Sequence, residues 1–249
     1  MRVFLALGLC FSAVSPAVYA SDASVTMTAE YVTEYVFRGV TLAGEAIQPS
    51  IEATYGNLTI GAWSSFAMGE VKDAFSDEIN IYANLGWELT DFVNGEIGAT
   101  LYHFPNSGGL FDIGSDIDDA GTVEIYGGLD FDVPLSPTLS GYYDVHLETV
   151  TLETSLSYSL SLIENFMVEA SVNAGLVEAS EGVNYQYGKV SAKAYFDVTD
   201  NAAFFAGAHY GLSSTDTFLD TNFDLSDPET LSDPTKNSSW FSFGVSSTF

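Results

Sequence analysis

Along residues 149–162, TVTLETSLSYSLSL, apolar and polar positions alternate without a break. Val150, Leu152, Leu156, Tyr158, Leu160 and Leu162 fall on one parity with Thr154, while Thr151, Glu153, Ser155, Ser157, Ser159 and Ser161 fall on the other. Successive side chains of a strand point to opposite faces, so this stretch predicts a strand with one apolar and one hydrated side. EINIYANLGWELT at 78–90 repeats the pattern, as do TVEIYGGLDFD and NFMVEASVNAGL. The chain ends the same way: in SWFSFGVSSTF, Phe241, Phe243, Val245 and Phe249 share a parity on which Ser247 is the polar exception.

The alternation predicts strands over 24–39, 45–55, 58–69, 78–90, 93–104, 121–132, 137–147, 149–161, 165–178, 184–198, 201–213 and 239–249. Most approach the ~9–11 residues with which a tilted strand crosses a bilayer. No linker divides them. Connections sort by parity, the short set being GN, TDFVN, VPLSP, LIEN and TDN; the other set includes the long segments at 105–120 and 214–239. Short turns on one rim and long loops on the other predict an all-β, transmembrane, antiparallel up-and-down β-barrel of about twelve strands, with both termini on the short-turn side.

The aromatic residues sharpen this. Tyr55, Trp87, Phe131, Tyr158, Phe166, Phe196, Phe204 and Phe249 lie on the apolar parity beside the short turns or the C-terminus. A soluble sandwich would distribute such rings between its sheets, whereas a membrane barrel collects them in an interfacial girdle. Phe249 then belongs to the closing strand, in the form that outer-membrane assembly machinery is taken to recognise.

Residues 1–20, MRVFLALGLCFSAVSPAVYA, have the charged start, apolar centre and small-residue end of a secretory signal, with cleavage expected after Ala20 and the barrel over 21–249. The one cysteine, Cys10, lies in that segment. With 6 Lys and Arg against 34 Asp and Glu, the net charge is −28, which argues against a nucleic-acid partner. The 47% hydrophobic content argues against disorder. Expected partners are the lipid bilayer, the assembly machinery and small solutes or ions.

YVFRGVTLAGEAIQPSIEATYGNLTIGAWSSF at 35–66, followed by EINIYANLGWEL, LYHFP and LSGYYDV, resembles the TorF-type porin family of exported bacterial barrels. Its most specific residues here are Tyr35 to Gly39 and the Gly61-x-Trp63 pair. The resemblance implies an outer-membrane barrel of porin type in a Gram-negative envelope and implies no substrate.

If the apolar parity meets lipid, the other lines the interior. That assigns Glu30, Glu34, Glu52, Glu78, Glu96, Glu124, Asp144, Glu153 and Glu169 to a pore wall, with Arg38, Lys189 and Lys193 as the opposing bases. Twelve strands ~4.8 Å apart give a backbone radius of roughly 12 Å, which leaves an opening of a few ångströms. A wall this acidic should favour cations. The rival reading is a filled barrel that anchors or recognises without conducting. Arg38 and Glu34 would stand roughly 13 Å apart on one strand, so the partner of Arg38 must come from another strand or a folded-in loop. It is then a clamp or one side of a constriction.

Asp116, Asp118, Asp119 and Gly121 resemble part of a calcium loop, but the distal ligands are missing, so no metal or other cofactor is expected. His103, His146 and His209 raise the possibility of Ser–His chemistry. No serine stands in a nucleophile motif, which points away from an enzyme.

Overall fold

The computed structural model describes residues 23–68, 77–114, 120–218 and 234–249. Among them are fourteen strands. They are β1 (Ser24–Val32), β2 (Tyr35–Phe37), β3 (Val40–Ala43), β4 (Ala46–Tyr55), β5 (Leu58–Ala67), β6 (Glu78–Thr90) and β7 (Val93–His103), then β8 (Gly121–Phe131), β9 (Thr138–Asp144), β10 (Thr149–Ile163), β11 (Phe166–Ala179), β12 (Tyr185–Thr199), β13 (Ala202–Ser213) and β14 (Asn237–Thr248). All but β2 and β3 form one closed barrel, in which each strand pairs antiparallel with its sequence neighbour and β14 returns to β1. The closing ladder runs from Thr26 opposite Thr248 to Val32 opposite Ser242. Val25 and Phe249 extend it by exchanging backbone bonds of 3.0 and 2.9 Å.

Alternation decides which side each residue takes. On β10 the apolar positions Val150, Leu152, Leu156, Tyr158 and Leu160 are exposed on the outer surface, and Thr149 and Thr151 are buried inside. Ile81, Leu85, Ile97, Ile125, Val172, Val190, Phe241 and Phe243 continue the exposed apolar surface around the barrel. In water a surface of this kind is costly. Against acyl chains it is the ordinary outside of a membrane barrel.

Two predicted strands are corrected. The first does not run from 24 to 39. It stops at Val32, and residues 35–43 turn back as a hairpin that pairs only with itself as a sheet, Phe37 opposite Val40. Arg38 and Gly39 form its two-residue turn, with φ of 43° and 74°. A hairpin turn with both central residues at positive φ matches strand twist, and Gly39 suits it without strain. The second correction is at β9, which ends at Asp144 rather than 147. There the Asp144 carboxylate accepts bonds from the backbone N–H groups of His146 (3.0 Å) and Leu147 (2.8 Å) and turns the chain into β10.

The proposed signal segment lies outside the described residues. So do Asp116, Asp118 and Asp119, and most of the acidic segment between β13 and β14.

Candidate functional site: the barrel interior

The β2–β3 hairpin is folded into the barrel at its long-loop end. Its apolar residues Tyr35, Phe37, Val40, Leu42 and Ala43 are buried with Tyr102, Val177, Tyr185 and Tyr187 of the wall. Trp63 packs at the edge of this cluster, its ring 5.5 Å from that of Tyr35. Each fully buried Phe, Val or Leu side chain contributes about 1.5–3 kcal/mol relative to exposure. A small hydrophobic core therefore sits inside a lumen that polar residues would otherwise line. Thr217, after β13, closes over it: its N–H side is occupied elsewhere, while its carbonyl accepts from the Thr41 N–H at 3.1 Å and its hydroxyl donates to the Gly39 carbonyl.

At the hairpin tip Arg38 meets Glu124 of β8. Nη1 lies 2.8 Å from Oε2 and Nη2 3.3 Å from Oε1, and both side chains are 3% exposed. Thr151 accepts a further bond from Nη1 at 3.3 Å, and the Tyr142 ring lies under the guanidinium with its centroid 4.1 Å away. Tyr102 donates to the same Glu124 at 3.0 Å. A planar guanidinium supports all of these contacts at once, which lysine would not. Arg38 thus ties the hairpin to strands β8, β9 and β10.

Glu34 lies in the turn between β1 and β2 rather than on a strand face, and it accepts bonds from the hydroxyls of Thr41 and Ser238. Glu78 is buried and accepts from Tyr35 (2.9 Å) and Asn80 (2.6 Å). Asp144 stands directly opposite Glu124 and accepts from Thr122 at 2.6 Å in addition to its turn contacts. These three carboxylates, with Glu124, are packed around the hairpin and the loop ends. The remaining interior charges, Glu30, Glu52, Glu96, Asp130, Glu153, Glu169, Lys189 and Lys193, are half-buried.

A device that the alternation alone did not reveal organises this wall. Tyr82 on β6 lies across Gly61 of β5 and donates to Glu52 of β4 at 2.9 Å. Tyr187 on β12 lies across Gly175 of β11 and donates to Glu153 of β10 at 2.6 Å. Tyr126 on β8 lies across Gly98 of β7, in line with Asn84 of β6. In every case the ring and the glycine are direct cross-strand partners. A Cβ on any of these glycines would fall 2.3–2.4 Å from a ring atom. The fourth instance differs in chemistry: Phe205 of β13 covers Gly244 of β14, in line with Glu30 of β1, and Lys193 rather than a hydroxyl meets that carboxylate. The readable signal is an aromatic residue on the polar parity of one strand with a glycine on the polar parity of the next.

Outside, Tyr55, Tyr158, Phe204 and Phe249 are strongly exposed, Trp87 and Phe196 less so, and Phe131 and Phe166 half-buried. Phe196 faces Phe166 on one side and Phe204 on the other, a row of three rings beside short turns. Phe92, in the β6–β7 turn, is exposed on the same rim. His209 faces inward with its ring nitrogens 2.9 and 3.1 Å from the hydroxyls of Ser191 and Ser242, and it stacks on Trp240. His103 contacts the Ala120 carbonyl, and at His146 it is the backbone that engages Asp144.

A closed antiparallel barrel with an apolar exterior and a charged interior is the architecture of membrane-spanning β-barrels. Residues 17–136 match the model of Gcw_chp, described as a bacterial protein of unknown function. No curated protein matches the chain. Among solved structures, the NanC porin is similar over 90% of this chain and 98% of its own, with a TM-score of 0.57 and 9% identity. The KdgM porin in complex with disordered oligogalacturonate is similar over 91% and 99%, with a TM-score of 0.53 and 11% identity. An outer-membrane channel from Pseudomonas putida F1 is similar over 95% and 100%, with a TM-score of 0.51 and 12% identity. The shared property is the barrel fold of outer-membrane porins and channels.

Proposed function

We propose that the protein is an outer-membrane barrel of the TorF porin type that passes small solutes by diffusion, with a preference for cations, and that its β2–β3 hairpin narrows the long-loop half of the path. The observation that carries this reading is the half-buried wall: six carboxylates, Glu30, Glu52, Glu96, Asp130, Glu153 and Glu169, against Lys189 and Lys193. In a passage no wider than a Debye length of about 8 Å, such a wall sets the potential throughout and raises the local concentration of cations. Oligogalacturonate, the ligand in the KdgM structure, is a polyanion, and an acidic wall disfavours that class.

The aromatic residues on the short-turn rim fit an interfacial girdle on the periplasmic side, with β14 and Phe249 presented to the assembly machinery. The packing of Tyr35, Phe37, Val40 and Leu42 inside the lumen favours a second reading, a barrel that anchors or recognises at the surface without conducting. Conductance and reversal potential of the refolded, signal-free protein in a planar bilayer under a salt gradient separate the two. Discrete steps with cation selectivity support the channel; an inserted, protease-resistant barrel that never conducts overturns it.

A further inference from the structure

We infer that the interior wall around Phe205 is a binding site for small organic ammonium ions, in which Lys193 is a tethered occupant that a free ammonium displaces. The inference rests on the cation preference proposed above and names the solute class that the wall recognises. It starts from the difference among the ring-and-glycine units. Two of them end in a tyrosine hydroxyl that donates to a carboxylate, Tyr82 to Glu52 and Tyr187 to Glu153. In the Phe205 unit the ring has no hydroxyl, and Glu30 stands in the acceptor position.

What meets Glu30 is an ammonium group. Lys193 Nζ lies 3.2 Å from Glu30 Oε1 and 5.0 Å from the centroid of the Phe205 ring. Glu169 is the direct cross-strand partner of Lys193, and Tyr195 stands beside Phe205 with ring centroids 5.8 Å apart. One carboxylate at contact distance, a second on the adjacent strand and an aromatic face beneath are the elements by which proteins recognise alkylammonium ions. Here the cation is supplied by the chain.

Two features make the occupant displaceable. The side chains of Lys193 and Glu30 are 20% and 21% exposed, so neither is sealed in the wall, and the pair lacks the full burial and the further hydrogen bonds that fix Arg38 to Glu124. Lys193 also carries its charge on a flexible four-carbon stem, free to swing aside. An incoming ammonium takes the same place between the Glu30 carboxylate and the Phe205 ring, held by charge attraction and the ring face. Lysine's displacement and its like charge together lower the affinity for that ion, so the site is tuned for loading and release rather than retention.

The test uses the full refolded barrel in detergent micelles, with tetramethylammonium chloride as the probe and tert-butanol as its neutral counterpart. Isothermal titration should show weak binding of tetramethylammonium, strengthened about tenfold in Lys193→Gln and weakened about tenfold in Phe205→Leu and Glu30→Gln, the scale of a partly desolvated cation–π contact. Unchanged or weaker binding in a heat-modifiable Lys193→Gln barrel, or equal binding of tert-butanol, overturns the site. A second measurement needs no lysine variant: saturation of the aromatic protons of the wild-type barrel should transfer to the tetramethylammonium methyl protons and not to those of tert-butanol, and its absence also overturns the site. Bilayer conductance reports separately on the channel. A barrel that binds the probe yet passes no current retains the site and loses the channel reading; one that conducts and does not bind does the reverse.

Discussion

The ring of Tyr187 occupies the space in which a side chain on Gly175 would begin. Its Cζ lies 2.3 Å from where a Cβ would stand, and from that position its hydroxyl reaches Glu153 one strand further on. Glycine is required here by the ring, not by backbone conformation. Gly175→Ala should therefore lift the ring, break the bond to Glu153 and destabilise the barrel by about 1–3 kcal/mol, the usual range for overpacking. The same substitution in a Tyr187→Ser background should cost much less, because the two residues act as one unit. Urea unfolding in micelles measures both, and equal costs in the two backgrounds would refute the coupling.

The Arg38–Glu124 pair predicts how the hairpin is held. Removing one partner of a buried ion pair leaves the other charge uncompensated and costs about 3–5 kcal/mol. Glu124→Gln should loosen the hairpin before it loosens the barrel. Trypsin is a direct reporter, since Arg38 itself forms the cleavage site with Gly39: the wild-type barrel should resist there and the variant should be cut. Equal resistance would mean that the hydrophobic contacts of Phe37, Val40 and Leu42 hold the hairpin without help from the pair.

Selectivity should follow the half-buried charges and not the buried ones. Reversing Glu52, Glu96 and Glu153 to lysine should shift the reversal potential toward anions, because these groups are half-buried on the interior face of the wall. Glu34 and Asp144 are enclosed by hydrogen bonds to the hairpin and loop ends, so their replacement should lower the yield of folded barrel. An unchanged reversal potential in the correctly folded triple variant would remove those three residues from the conduction path.

Phe249 makes two backbone bonds to Val25 that complete the seam between the first and last strands. Deleting it removes bonds worth about 0.5–1.5 kcal/mol each. Unfolding in micelles should register this modest loss. Assembly in living cells should fall much further, because in the proposed reading the exposed terminal ring is also the feature offered to the assembly machinery. Comparable losses in the two settings would leave Phe249 a structural role only.

The barrel was legible because period-two alternation survives in nearly every strand and the surroundings reverse the usual rule without erasing it: Leu152 and Leu156 face out, Thr149 and Thr151 face in. The hairpin was not, since Tyr35 and Phe37 continue the apolar parity of Val25, Met27 and Tyr31 and so resemble more of β1. The clue was Arg38-Gly39, a two-residue turn between apolar flanks, with Gly44 soon after. Side-chain partners between distant strands were out of reach for a different reason. The link from Arg38 to Glu124 spans 86 positions and depends on registers that no local pattern specifies. Once adjacent strands are aligned, the ring-and-glycine units emerge, because Tyr82 then falls opposite Gly61 and Tyr187 opposite Gly175.

The hairpin also constrains the order of events by which this molecule comes into being. Residues 35–43 are synthesised early, yet the groups that grip them come from β6, β8, β9, β10 and β12. A finished cylinder offers no side entrance through its hydrogen-bonded wall. The sheet must therefore curl around the hairpin as it closes, or the hairpin must descend through the long-loop mouth before the segment after β13 covers it. Contacts this remote in sequence slow folding. On the first of these routes the ladder of β14 against β1 is a checkpoint: it completes only when the interior has already been filled.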